Sequence, residues 1–393
     1  MWITVSSKLN HALTISCDFI NLGAVINAVV LDLEITCKKS HKKSNGLGNM
    51  IFFTSSLRRL VTTSAVAISV VFGTAMAASA QTVTLNGAGA TFPEPLYQRY
   101  AAEFAKQNPN IKVNYQGIGS SGGIKQFTAG TVDFGGSDAA MTDAQIAAVS
   151  KGVILVPTAG GAVSVIFNVP GVEKLKLSRY TLPLIFTGQI KRWNDAKLVR
   201  DNPGVNLPDL PIRLAVRADG SGTTFIFTNH LSAIDPSFRK LVGPGQAPKW
   251  VASPLKGKGN AGVAGVVKQT AGAIGYVEYS YAKNGNLETA LLQNKKGQYV
   301  TPELSNANKA LATFKFPENF RVFEGDPTDG YPIVGLTWLL VSKDYDAAKA
   351  PAIKKFIQWA LTSGQKINGS LEYTQIPEAV AKRVIQVVNS SVK

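Results

Sequence analysis

Four short runs rich in Gly, Ser and Thr are the residues best able to do chemistry: Gly87–Phe92, Gly119–Gly123, Gly136–Asp138 and Asp219–Thr223. Glycine lets a backbone come close to a ligand, and Ser and Thr add hydroxyl donors. Each run follows a predicted strand and precedes a predicted helix. Unpaired N–H groups and the positive end of the helix dipole favour an anion there. Taken singly, each run reads more readily as a turn or a helix cap. Four in series make the stronger case for an oxyanion site. Asp219-Gly220-Ser221-Gly222-Thr223 is the richest, with hydroxyls at Ser221 and Thr223 and N–H donors at Gly222 and Thr223. It lacks the lysine and the spacing of a nucleotide P-loop. Arg217 can lay a bidentate guanidinium on an anion, with Asp219 orienting it. The alternative is a surface Arg–Asp pair that contributes little.

Asp138 is the odd member, because a carboxylate repels an anion unless a proton lies between them. An acceptor-only group therefore selects oxyanions that still carry a proton, such as phosphate near neutral pH, and rejects sulfate. The plainer alternative is a helix-capping Asp. Sulfate, molybdate or another oxyanion remains the rival ligand on the same fold. An exported scaffold or adhesin is a further rival and would show no ligand-induced thermal shift.

Catalysis is the other class to weigh. Ser120, Ser121 and Ser221 are glycine-flanked, as nucleophiles often are. After residue 80, however, the sequence holds one histidine, His230, two turns into the helix predicted after Thr223. Packing explains that position better than general-base work. Ser121 and Lys125 are four apart, not the three of S-x-x-K. No His/Asp/Glu cluster has metal-ligand spacing. The reading is a binder, not an enzyme, with no cofactor or metal.

These runs must be positioned by alternating strands and helices, which predicts an α/β fold. Strands are expected at Val83–Leu85, Ile111–Tyr115 and Val132–Phe134, with the candidate loops at their carboxyl ends, where open α/β sheets bind ligands. Leu96, Tyr97, Tyr100, Ala101 and Phe104 have helical spacing, and Asn108-Pro109 ends that helix. Thr142 and Gln145 form a capping box. The strand Val163–Asn168 carries the chain toward a second lobe. That lobe holds the strand Ile212–Val216, a helix over Phe225–Leu231, a Gly-rich stretch from Lys256 to Gly272 and the strand Ile274–Val277. A β run at Pro332–Val341 and helices near Ala347–Thr362 and Pro377–Val388 close the chain. A chain that leaves one lobe, builds another and returns predicts two lobes around a hinge and a ligand cleft. Lobe 1 is expected at 81–160 and 326–393, and lobe 2 at 161–325.

At 393 residues the chain is long enough for two such lobes plus a processed segment. Met50 opens a stretch that reads as a secretory signal peptide over 50–80. It has basic Arg58-Arg59, an apolar run over Ala65–Phe72 and the A-x-A site Ala78-Ser79-Ala80. The apolar run falls short of the roughly 18 residues a membrane span needs. The mature chain then starts at Gln81, and 1–49 reads as an over-long N-terminal extension. Cys17 and Cys37 both lie in that extension. The mature chain thus has no disulfide, no zinc-thiolate site and no cysteine for lipid attachment. Export without an anchor points to a bacterial periplasm. After residue 80 there are 34 Lys/Arg against 22 Asp/Glu, a net +12. A basic surface concentrates anions. No dense basic run or aromatic–basic interleaving marks a nucleic-acid binder.

Five segments, in order, resemble the periplasmic phosphate-binding proteins of phosphate ABC transporters. They are Gly87-Ala88-Gly89-Ala90-Thr91-Phe92-Pro93, Tyr115 to Gly123, Val132-Asp133-Phe134-Gly135 with Ser137-Asp138, Arg217 to Thr223, and Gly272 to Glu278. The match spans essentially all of the chain after the leader. The resemblance implies a hinge-closing monomer that binds inorganic phosphate and delivers it to an inner-membrane permease of two transmembrane subunits with ATPase subunits. It further implies that Ala90, Thr91, Phe92 and Ser120 line one wall and that Asp138 accepts the phosphate proton. Arg217, Ser221, Gly222 and Thr223 would contact the anion from the other lobe, with Asp219 holding Arg217.

Overall fold

The computed structural model describes residues 82–251 and 253–393, together with the short strands Trp2–Ser6, Ala12–Ser16 and Ile35–Thr36. Those three strands pair antiparallel within a separate unit, Met1–Ala75. The expected signal segment 50–80 and the remainder of the 1–49 extension lie outside the described residues.

The unit Met76–Lys393 is built on a nine-stranded sheet. Its strands are β1 Val83–Gly89, β2 Ile111–Gly117, β3 Phe134–Ser137, β4 Val153–Asn168, β5 Arg213–Arg217, β6 Leu255–Gly257, β7 Ala273–Glu278, β8 Glu288–Thr289 and β9 Val334–Ser342. The order is β6-β5-β7-β4-β9-β3-β1-β2, with β8 also on β4. Strand β4 joins the two halves. Its 16 residues are buried except at the two ends, as a strand covered on both faces requires. Val153–Ala162 pair with β9, and Val163–Asn168 pair with β7, so the partner changes between Ala162 and Val163. The chain comes back through β9, whose register shifts between Thr337 and Trp338 opposite Pro157 and Ala159. The result is a two-lobe α/β fold in which β4 runs through both halves of the sheet.

In the first half, β1 lies parallel between β2 and β3. Helix α1, Glu94–Gln107, buries Leu96, Tyr97, Tyr100 and Phe104 on one face and stops at Asn108, as its spacing predicts. Helix α2, Ser120–Thr128, starts after Gly119 at φ 90°, a left-handed position suited to glycine. Helix α3, Asp143–Ala147, carries the expected Thr142/Gln145 capping box. In the second half, helix α4, Gly222–Ile234, follows β5 through the Asp219–Ser221 turn, and helix α5, Gly259–Gln269, follows β6. Val263 and Val267 of α5 pack on Ala215, Ala273, Val277 and Ile166 of the sheet. Helices α6, Lys349–Ala360, and α7, Glu378–Ser391, close the chain.

Three local differences from the sequence reading share one cause, the use of glycine for tight packing. Gly87–Gly89 belong to β1 and not to a loop. The strand expected at Val132–Phe134 runs instead over Phe134–Ser137, because Gly135 and Gly136 pair with β1 on one side and β9 on the other. A Cβ at Gly136 would sit 2.1 Å from Tyr115 Oη, so only glycine fits there. The Gly-rich stretch from Lys256 holds helix α5, despite glycine at 259, 262 and 265. A Cβ at Gly257 would lie 2.3 Å from the Gly262 carbonyl carbon, so bare backbone lets helix and strand meet.

Candidate anion-binding site

The sequence puts the candidate residues in four places, and the fold brings them together at the carboxyl ends of β1, β3 and β5. Asp138 lies at the end of β3 and is 2 % exposed. It does not cap a helix, since Thr142 caps α3 four residues later. Its Oδ1 accepts from Thr337 Oγ1 at 2.9 Å and its Oδ2 from Thr223 Oγ1 at 3.4 Å. Burial pushes its carboxyl up to about 7; the Thr337 hydrogen bond and the Arg217 charge oppose that rise.

Arg217 ends β5 with its side chain 2 % exposed. Nε and Nη2 donate to the two carboxylate oxygens of Asp219 at 2.9 and 2.5 Å. This bidentate pairing fixes the guanidinium plane and leaves Nη1 directed at Thr223 Oγ1, 3.4 Å away. Burial raises the Asp219 carboxyl, but the Arg217 hydrogen bonds and charge outweigh it and hold the group below the usual carboxylate range. Asp219 also accepts from Gly259 N at 2.9 Å. The expected Arg217–Asp219 pairing is therefore present, and it is buried at the arginine.

Ser221 is the N-cap of α4, accepting from Thr224 N at 3.1 Å. Gly222 and Thr223 form the first turn, where N–H groups have no intrahelical acceptor. The Gly222 N–H, expected at the anion, donates here to Ser120 Oγ at 3.0 Å. Ser120 Oγ also accepts from Asp138 N at 3.2 Å. A Cβ at Gly222 would lie 2.5 Å from Ser120 Oγ and 2.6 Å from Asp138 Cβ, so glycine permits this approach.

The Ala90-Thr91-Phe92 loop leaves β1 with each carbonyl tied by a tyrosine. Tyr115 Oη donates to Ala90 O at 2.8 Å, Tyr281 Oη to Thr91 O at 2.6 Å and Tyr373 Oη to Phe92 O at 2.6 Å. A trans peptide sets each carbonyl opposite the next N–H. Pinning the Ala90 and Thr91 carbonyls therefore aims the Thr91 and Phe92 N–H groups the other way. The Ala90 N–H itself is donated to Gly136 O at 2.9 Å, so Ala90 is wall rather than donor. Tyr373 Oη also lies 2.9 Å from Glu278 Oε2, and since its own proton is on Phe92 O, the protonated acid is the donor in that contact. Glu278 is fully buried, and burial pushes it up to about 8.

Asn260, Thr337, Tyr281 and Tyr373 escaped the sequence reading, and Tyr115 entered it only as the start of the Tyr115–Gly123 run. The Gly272–Glu278 run pointed to the neighbourhood of Glu278 and Tyr281, but nothing local marks Tyr373 or Asn260. His230 is buried in α4 with Nδ1 2.6 Å from Gly325 O, and burial lowers its pKa to about 4. That is a packing role, as its helical position implied. Among the described residues no group of three His, Cys, Asp or Glu is placed to hold a metal. No described helix is long and apolar enough to cross a membrane.

A family model described as a PBP superfamily domain matches residues 75–363, which contain every candidate residue. The phosphate-binding protein PstS of Pasteurella multocida is 39% identical over 336 residues, covering 82% of this chain and 95% of its own. That of Haemophilus influenzae is 39% identical over 312 residues, covering 78% and 92%. The chain belongs to the PstS family of phosphate-binding proteins. A solved phosphate-binding protein from Stenotrophomonas maltophilia shares the fold at TM-score 0.64 and 20% identity, covering 78% of this chain and 94% of its own. Membership in the PstS family accounts for the two-lobe architecture and for the order in which the sequence motifs occur. It also sets aside the hydrolase reading of the glycine-flanked serines, since these relatives are named for binding phosphate.

Proposed function

We propose that this chain is a periplasmic receptor that encloses inorganic phosphate between its two lobes and delivers it to an ABC permease. The observation that carries the reading is Asp138. It is a buried carboxylate whose side-chain partners are two hydroxyls, while the nearby buried cation, Arg217, is engaged by Asp219. Such a carboxylate tolerates an anion that brings a proton of its own. A protonated oxygen of phosphate donates to Asp138, and sulfate has no proton to give.

The remaining roles follow from the donors. Arg217 supplies positive charge, with its plane set by Asp219. Thr91 and Phe92 offer aimed N–H groups, and Ala90 closes the wall. Ser120, Ser221 and Thr223 offer hydroxyls, and the first turn of α4 offers N–H groups at Gly222 and Thr223. The Gly222 N–H turns from Ser120 to the anion when phosphate enters. No cofactor takes part.

The lobes are taken as 81–160 with 326–393 and as 161–325; the partner change along β4 at Ala162–Val163, close to the first boundary, supports this division. The chain is exported by the 50–80 segment and acts as a monomer. Its permease has two transmembrane subunits served by ATPase subunits. The test is thermal unfolding of residues 81–393. Phosphate at a hundredfold excess over its Kd stabilises by about 2.7 kcal/mol and should raise the midpoint. The same concentration of sulfate should leave it unmoved, and an equal shift by both anions would contradict the role of Asp138.

A further inference from the structure

Asn260 sits at the start of α5, fully buried, and touches both walls of the site. Its backbone N–H and its Nδ2 both donate to Thr91 Oγ1, at 3.1 and 2.9 Å. Nδ2 also donates to Thr223 Oγ1 at 3.3 Å. The orientation of the amide is fixed independently, because Oδ1 accepts from Glu278 N at 3.0 Å. Flipping the amide would set two N–H groups face to face and leave both hydroxyls without that donor.

A hydroxyl has one proton and two lone pairs. Thr91 Oγ1 receives two N–H donors from Asn260, so its own proton must point elsewhere. Among the described residues no protein group accepts it. Thr223 Oγ1 receives Asn260 Nδ2 and Arg217 Nη1, so its proton too is directed outward, to Asp138 Oδ2 here. We infer that Asn260 is a positioning residue for anion selectivity: by occupying the acceptor side of the Thr91 and Thr223 hydroxyls, it turns both into obligate donors aimed at the ligand. It acts from α5, on the opposite wall from Thr91, and so ties the polarity of the donors to closure of the cleft. The inference rests on the phosphate reading above.

Calorimetric titration of the wild-type chain with phosphate is the first arm, and absence of binding there would refute the functional reading and not the role of Asn260 alone. With wild-type binding in hand, Asn260→Ala should weaken phosphate roughly tenfold, the loss expected when donors are no longer fixed. Asn260→Asp is isosteric, yet it offers acceptors where donors are needed, so the hydroxyl protons turn away from the ligand. It should weaken phosphate by roughly a hundredfold or more. A packing role predicts the reverse order, with the isosteric variant closer to wild type, and that order would overturn the inference. The second readout is a double-mutant cycle with Thr91→Val. If Asn260 acts through the Thr91 hydroxyl, the double variant loses clearly less than the product of the two single losses; strict additivity would overturn it. Unfolding midpoints without phosphate show that each variant is folded. Should Asn260→Ala not fold, Asn260→Asp carries the cycle.

Discussion

Asp138 and Arg217 lie within one buried cluster without pairing, and that separation of charges sets the chemistry of the site. Arg217 is satisfied by Asp219, so Asp138 takes only hydroxyl donors from protein side chains. Burial lifts its carboxyl to about 7. Under the proposed function, it is ionised above that pH, accepts the phosphate proton and repels sulfate. Below it the carboxyl holds its own proton and can donate to a fully ionised oxygen. Discrimination against sulfate should therefore weaken as pH falls through about 7, measured as the concentration of sulfate needed to displace phosphate. Asp138→Asn supplies a permanent donor. It should cut the phosphate-to-sulfate ratio by roughly one to two orders of magnitude while lowering phosphate affinity less. The sequence singles out these two residues as charges among Gly/Ser/Thr runs, although each alone also reads as a helix cap or a surface pair. Asn260 and Tyr373 were not legible there, since their partners Thr91 and Phe92 lie 169 and 281 positions away and only the folded chain brings them together.

At the scale of elements, helix starts and strand ends place the donors, and small residues let them converge. Gly222 opens α4 against Ser120 and Asp138, with no room for a Cβ. Gly222→Ala should leave α4 intact, because alanine suits a helix better than glycine. It should hold the cleft apart and weaken phosphate by at least about tenfold, the scale of one well-made hydrogen bond. Calorimetry beside a helicity measurement separates the two effects. The tyrosine-pinned loop makes a second claim at this scale. Tyr281→Phe leaves the Thr91 carbonyl only its longer bond from Glu94 N at 3.3 Å and loosens the aim of the Phe92 N–H, and a fall in phosphate affinity of up to about tenfold is expected. Unchanged binding would show that the loop is aimed by other contacts. The strand–loop–helix order was readable from the period of apolar residues, and α1 and the α3 capping box fall where that period puts them. Helix α5 was not readable. Three glycines in eleven residues argue against a helix, and what overrides them is the burial of Val263 and Val267 against the sheet.

Across the whole molecule, β4 runs through both halves of the sheet, and a buried acid lies beside its change of partner. Glu278 ends β7 opposite Val163, at the point where β4 changes partner. It accepts from Ser280 N at 3.0 Å and from the Ser280 hydroxyl, its proton faces Tyr373 Oη at 2.9 Å, and burial raises it from 4.5 to about 8. The folded state therefore keeps a proton that the unfolded chain has released. The stability from that proton is full below about 4.5 and is lost as pH rises through about 8. The ligand-free unfolding midpoint should decline over that window. Glu278→Gln, which keeps a donor for Tyr373 without titrating, should flatten the decline and raise the midpoint at pH 8. The two-lobe plan was visible in the sequence as a chain that leaves and returns. The position of the crossing was harder to read, because β4 is apolar along its whole length and carries no mark at Ala162–Val163.

The most direct test of the account is calorimetric titration of residues 81–393 with phosphate and with sulfate at pH 8, where Asp138 is ionised. Phosphate should bind with one site per chain and sulfate should give no saturable heat. Sulfate binding as tight as phosphate would contradict the claim that Asp138 selects the anion by its proton.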